Sequence, residues 1–387
     1  MKARIWMFTG ALSLSLGTGV TIAQTSEQLE RLAISDAKHL SAASKRALEW
    51  PKLSNDWYGE FRETDLKGDF AYQKGIVRRD PSSVLYEDEL YHTWYTKSTG
   101  PTEGFSNPIK NKVYPWDKSD IWHASSKDGI RWKEDKKPAV VRGKAGSFDD
   151  RSVFTPEVLK HEGRYYLVYQ TVKHPYIHQV KNQVGIAYAD SPYGPWIKHD
   201  KPILSPADNG KWLEEGSYSL AAEVQGDFDS HKVHDPYLTF FNGKFHLYYK
   251  GERMGEKITF GGREIRHGVA TSDSPFGPFV KSKYNPISNS GHEVVIWHYN
   301  GGIGSLITTD GPERNTVQWA QDGINFEILA AIRKAPHAMG LVRKNDNSSE
   351  PFKIFDWGLT HGYKDWNEQT IRRFDSRQPQ KSKRYKN

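Results

Sequence analysis

Four segments of the chain follow one plan: IWHASSKDGIRW (121–132), VGIAYADSPYGPW (184–196), HGVATSDSPFGPF (267–279) and VQWAQDGINF (317–326). Each is a run with strand character, then Asp-Gly or Ser-Pro-aromatic-Gly-Pro, then an aromatic. The turn residues supply the backbone angles that a tight reversal needs. The closing aromatics Trp132, Trp196, Phe279 and Phe326 lie 64, 83 and 47 residues apart. Similar units at uneven spacing imply radial repetition with inserted loops, in which the closing ring plugs the gap between neighbouring sheets.

A second series interleaves with the first. An acid stands at the head of a strand, a short Gly- or acid-containing turn follows, and then an aromatic strand. The copies are RRDPSSVLYEDELYHTWYTKS around Asp80, TPEVLKHEGRYYLVYQ from Thr155, DPYLTFFNGKFHLYYKG from Asp235 and the looser GHEVVIWHYNGGIGSLITT from Gly291. Period-two alternation with aromatic and β-branched residues is the signature of half-buried strands. Residues 339–343, a polar turn at 345–350 and PFKIFDWGLTH from Pro351 make a fifth unit. The count predicts an all-β chain, a five-bladed β-propeller over residues 61–370. A sandwich or β-helix leaves acids recurring at strand heads unexplained.

What precedes the repeats differs in kind. Residues 1–23 read as a signal peptide: Lys2 and Arg4, then a mostly apolar run, then Thr21-Ile22-Ala23 as the cleavage end. That run is short and Gly-interrupted, so no membrane span is expected, and the mature chain is expected to be exported, periplasmic or secreted. It has no Cys, so oxidising surroundings are tolerated but not exploited. Residues 24–60 are expected to be an N-terminal helical segment, with apolar stripes at Leu29, Leu32, Ala33, Ala37, Leu40 and at Ala43, Ala47, Leu48, ended by Trp50-Pro51. Such helices must dock on the body or on another subunit.

The formal net charge is +7, but residues 371–387 hold seven Lys/Arg against one Asp and are expected to form a basic C-terminal tail. Lys2 and Arg4 leave with the signal peptide, so the body is close to neutral. That argues against nucleic acid as a partner. Aromatics reach 13%, including 13 Trp, more than a core alone needs, and a sugar-binding cleft is one use for them.

A propeller gathers the starts of its inner strands at one axial mouth. The head residues are then Asp80, Glu157, Asp235, the pair His292-Glu293, and His337. Acids crowded in one pocket raise each other's pKa values and can divide into acid and base roles, the logic of glycoside hydrolysis. Taken singly, Asp80 and Asp235 are ordinary Asp-Pro turn openers; the repeated placement makes the case. The axial carboxylates are also a place for a divalent cation. Elsewhere metal signals are weak: His174 and His178 have helical zinc spacing but enclose Pro175 and lack the Glu. GGIGS (301–305) precedes no helix, so a phosphate loop is not expected.

These motifs together resemble glycoside hydrolase family 117, the exo-acting α-1,3-neoagarooligosaccharide (neoagarobiose) hydrolases. The resemblance covers nearly all of the mature chain. It rests on Ser41-Ala42-Ala43-Ser44-Lys45-Arg46 with Trp50-Pro51, on Arg79-Asp80-Pro81-Ser82, Thr155-Pro156-Glu157, His234-Asp235-Pro236 and Gly291-His292-Glu293. It implies a five-bladed propeller and a homodimer through exchanged N-terminal helices. The implied reaction releases 3,6-anhydro-L-galactose from the non-reducing end of neoagarooligosaccharides, with inversion. It implies Asp80 as general base and His292 as a His general acid. Glu293 would hold His292 and favour its protonated form, and Asp235 and Glu157 would bind sugar or tune charge. Thr155 and Gln170 are implied substrate contacts, and Trp116 is expected as a stacking residue. The readings that compete are a propeller glycosidase on another sugar, such as an α-L-arabinofuranosidase, in which His292 has no chemical role, and a non-catalytic sugar-binding propeller.

Overall fold

The structure is a computed structural model that describes residues 55–57, 59–100, 114–256, 265–309, 311–332, 334–364 and 367–378. The expected signal peptide and N-terminal helices to residue 54 lie outside the described residues. Among those residues the fold is all-β, with only short 3-10 turns besides strands.

Strand pairing resolves the chain into antiparallel meanders taken in sequence order. The first runs from the split inner strand Ile76–Arg79 and Leu85–Glu87 through Leu90–Thr99 and Asp120–Ser126 to Arg131–Glu134. The second is Ser152–His161, Arg164–Val172, Asn182–Ala189 and Ile197–Lys198. The third is Lys232–Phe241, Lys244–Glu252, Arg266–Ser272 and Val280–Lys281. The fourth is His292–Tyr299, Gly302–Thr309, Thr316–Ala320 and Glu327–Ala331. One parallel contact, Asn182 beside Lys232, joins the second and third into a single sheet. The fifth meander is Gly340–Leu341, Trp357–Tyr363 and Gln369–Arg377, and its fourth strand comes from the other end of the chain, Glu60–Asp65.

This last pairing corrects two boundaries. Of the segment expected to be helical through residue 60, the described residues form a turn at Asn55–Trp57 and then enter the sheet at Glu60. The segment expected as a basic tail from 371 begins as a strand: Ile371 and Phe374 are buried, and Arg372 bonds Glu63 and Asp65 across the pair at 2.9 and 3.0 Å. Ile371 and Phe374 are three apart and so lie on opposite faces of the strand, where each joins a different apolar cluster, and that burial outweighs the charge between them.

Each apolar cluster lies between two successive meanders. Trp94 and Ile121 of the first pack on Val153 and Leu167 of the second. Val168 and Ile186 meet Val233 and Leu247, then Tyr237 and Tyr248 meet Ile296 and Ile303. Trp297 and Leu306 meet Phe355 and Phe374, and Leu359 and Ile371 meet Tyr95 and Trp132 of the first meander. The closing aromatics do what the repeats predicted: Trp132, Trp196, Phe279 and Phe326 each join one of these clusters. Close approach is needed where a ring lies across the next strand. A Cβ on Gly268 would stand 2.8 Å from the Tyr249 ring, and one on Gly185 2.5 Å from Tyr169.

Candidate active site

Each meander turns its inner strand at one residue with left-handed backbone: Asp80 (φ 48°), Thr155 (47°), Asp235 (47°), Glu293 (58°) and Ala338 (44°). In the second and third meanders the ladder slips there, between Phe154 and Glu157 and between His234 and Tyr237. A bulge of this kind re-aims a side chain, and left-handed backbone on a residue other than Gly costs of order 1–3 kcal/mol each. Thr155, being β-branched, is the least suited to it.

This register corrects two expected head positions. Thr155, not Glu157, is the counterpart of Asp80, Asp235 and Glu293, and Ala338, not His337, occupies the fifth place. An acid two residues along the strand looks like a head residue in the sequence, because the bulge leaves no sequence mark.

Asp80 is the centre of the site. Arg79 Nε bonds its Oδ2 at 2.7 Å, and the hydroxyls of Thr96 and Thr155 approach the same oxygen at 3.3 Å. Its Oδ1 takes a bond from His361 Nδ1 at 3.0 Å. Burial alone would raise the carboxyl, but Arg79 and His361 outweigh it and hold Asp80 well below the usual carboxylate range. Glu293 goes the other way. Burial is the main cause, Asp235 and Asp80 add to it, and the carboxyl is pushed up to about 7 despite His361 and Arg79. Its Oε1 lies 3.4 Å from His292 Nε2, and the His292 side chain is 29% exposed. Asp235 is paired at 2.5 Å with Lys250, a buried lysine.

The other expected residues fall further out. Glu157 lies within a buried network: Ser83 N donates to it at 3.0 Å and Arg343 stands 3.9 Å away. Ser83 Oγ in turn meets Tyr237 OH at 3.2 Å and Arg343 Nε at 2.9 Å. Burial raises the Glu157 carboxyl. The network ties four of the meanders, and its place in the fold is a clasp. Gln170 is buried and bonds His234 Nδ1 at 3.2 Å, so it reaches Asp235 through the neighbouring residue. Trp116 is partly buried. Arg79 lies over its ring at 4.8 Å, and Tyr114 stacks on it at 4.7 Å, so it serves as a support for Arg79.

Asp80, Glu293 and His361 each offer a ligand atom within 4.8 Å of the others. The donors do not suit a divalent cation. His361 spends Nδ1 on Asp80 and Nε2 on Tyr363 OH at 2.7 Å, and Arg79 already supplies the positive charge.

His361, Tyr363 and Lys250 were not singled out in the sequence. All three lie inside aromatic strands, without the turn signal that marks the heads; His361 ends the stretch PFKIFDWGLTH, and its alternation with Tyr363 is the one available hint. What the site holds is one buried carboxylate held low beside another pushed up to about 7, an imidazole on the second, and left-handed backbone under both. Two carboxylates of unlike proton affinity with an imidazole beside them make an acid–base site for bond cleavage, and with the fold they fit a glycoside hydrolase.

Comparison with known proteins agrees. Zg3597, a family 117 glycoside hydrolase from the marine bacterium Zobellia galactanivorans, is 32% identical, with 83% of this chain and 91% of that chain covered and a TM-score of 0.68. The chain belongs to glycoside hydrolase family 117. More distant solved structures share the fold. One is described as a glycoside hydrolase (13% identity, 88% and 96% covered, TM-score 0.55). Another is a sucrose-6-phosphate hydrolase from Lactobacillus gasseri (12%, 88% and 64%, 0.52). No protein-family description and no curated protein matches the chain.

Proposed function

We propose that the chain is an exo-acting, inverting hydrolase that releases 3,6-anhydro-L-galactose from the non-reducing end of neoagarooligosaccharides, neoagarobiose being the shortest. The observation that carries the reading is that the Asp80 and Glu293 carboxyls, within 4.8 Å, are shifted in opposite directions, with His292 beside Glu293. Asp80 and Glu293 offer oxygens within 4.8 Å. An inverting pair needs roughly 6.5–9.5 Å to admit water, so Glu293 is not the acid that faces Asp80 across the sugar. His292, more exposed and held by Glu293, takes that role. Water attacks the anomeric carbon as Asp80 accepts its proton, the glycosidic bond breaks, and His292 gives its proton to the leaving oxygen. Glu293, its carboxyl pushed up to about 7, stands 3.4 Å from His292 Nε2 and orients the ring.

The reading extends to the whole molecule. The five meanders, with apolar clusters linking each to the next and the fifth to the first, support a five-bladed propeller. The apolar stripes of residues 24–60 support a homodimer through exchanged helices, and residues 1–23 support export.

The test is incubation of the purified protein with neoagarobiose, with products read by mass and NMR. Equimolar 3,6-anhydro-L-galactose and galactose, with the inverted anomer formed first, is the expected result. A folded protein that leaves neoagarobiose intact rules the substrate out, and other α-linked disaccharides, arabinosides first, then become the panel.

A further inference from the structure

The two oxygens of Asp80 are not equivalent. Oδ2 receives Arg79, Thr96 and Thr155, three donors on one atom. Among the described residues Oδ1 receives His361 alone. An ionised carboxylate offers about four lone-pair sites, two on each oxygen. Oδ2 is therefore filled, and the remaining acceptor capacity for a water proton lies on Oδ1. The direction of that capacity is set by the one group bonded there.

His361 is itself held at both ends. Its side chain is 1% exposed, and Asp80, an acceptor only, obliges Nδ1 to carry the proton. Nε2 faces Tyr363 OH at 2.7 Å, and the two rings meet edge to face at 5.1 Å. His361 and Tyr363 are two apart on the strand Trp357–Tyr363, so they share its face. Tyr363 is 46% exposed. The chain of bonds thus runs from a sealed carboxylate through a sealed imidazole to a phenol at the surface.

We propose that His361 is a positioning residue that aims Oδ1 of Asp80 at the attacking water, and that Tyr363 fixes the His361 tautomer that makes this possible. The inference rests on the reading of Asp80 as the base of a glycosidase and adds to it the atom that acts and the pair that orients it. The logic is that of a carboxylate, an imidazole and a hydroxyl in line, with the carboxylate here at the working end rather than the anchoring one. The charged and titratable groups facing Asp80 are Arg79, Glu293, His361 and Tyr363. Among the described residues only His361 bonds Oδ1.

The experiment has two arms. The first reads turnover of neoagarobiose against pH for wild type, His361→Ala, His361→Gln and Tyr363→Phe. His361→Ala is expected to lose roughly 10²–10³-fold in kcat with KM within about twofold, the size of a misdirected general base. Its acidic limb should move to higher pH, because a donor to the Asp80 anion is gone. His361→Gln, which keeps an N–H donor, should recover part of kcat, and Tyr363→Phe should lose several-fold in kcat with little change in KM. A merely structural histidine would lower the fraction folded and leave the limb in place, and that result overturns the proposal. The second arm needs no turnover. Nitrogen-15 NMR of the histidine rings should show His361 protonated at Nδ1 in wild type, with the Nδ1 signal shifted in Asp80→Asn and the Nε2 signal shifted in Tyr363→Phe. A His361 protonated at Nε2 alone also overturns it. If wild type leaves neoagarobiose intact while the NMR pattern holds, the substrate reading fails and the positioning assignment stands.

Discussion

At Asp80 and Glu293 one functional group is driven in opposite directions by its neighbours, and both directions show in stability. The native state keeps the Glu293 proton up to about pH 7, whereas the unfolded chain releases it near 4.5. Between those values the native state binds more protons, so stability falls as pH rises. Glu293→Gln should flatten that decline, read as the urea midpoint at pH 5 and pH 8; an unchanged decline would show that the proton is lost lower. Asp80 is lowered from 3.8. Its ionised form therefore stabilises the fold at every pH above that value, and the contribution disappears as pH falls through the native pKa. Asp80→Asn should be less stable at neutral pH, less sensitive to acid, and roughly 10³-fold slower or worse on substrate. A variant that keeps wild-type kcat would remove Asp80 from the reaction. The heads were legible in the sequence because an acid ahead of a turn recurs. Thr155 and Ala338 were not, since left-handed backbone is set by the local turn of the chain and Thr and Ala give no signal for it. His361 was hidden for the opposite reason: a histidine in an aromatic strand reads as core until its neighbours are known.

The meanders work as elements because each leaves an apolar face that only its neighbour covers. Their repeat was readable from turn chemistry and closing aromatics, even with unequal loops. The clasp of Ser83, Glu157, Tyr237 and Arg343 was not, because it draws residues from four meanders into one buried network. Arg343→Ala should leave Glu157 buried without its cation and cost about 3–5 kcal/mol. Arg343→Met combined with Glu157→Gln should restore much of that, as measured by denaturant unfolding; equal losses in the single and double variants would show that Arg343 packs rather than pairs. The contact between strands predicts a second loss. Gly268→Ala sets a methyl against the Tyr249 ring, and a destabilisation of ~1–3 kcal/mol is expected.

At the scale of the whole molecule the two ends of the described chain meet, residues 60–65 lying against 372–377. A chain begun at residue 66 should lack the fourth strand of the fifth meander, expose Phe61's partners Phe352 and Phe374, and lose cooperative unfolding. A sharp single transition in that truncation would show that the strand is dispensable. The same pairing fixes a timetable. The strand at 369–377 follows its partner at 60–65 by about 300 residues, roughly 15–60 s at ordinary elongation rates. Until then the fifth meander is incomplete, and the first-made strand waits for a partner not yet made. A nascent chain of this design therefore holds an unpaired first strand for that whole interval.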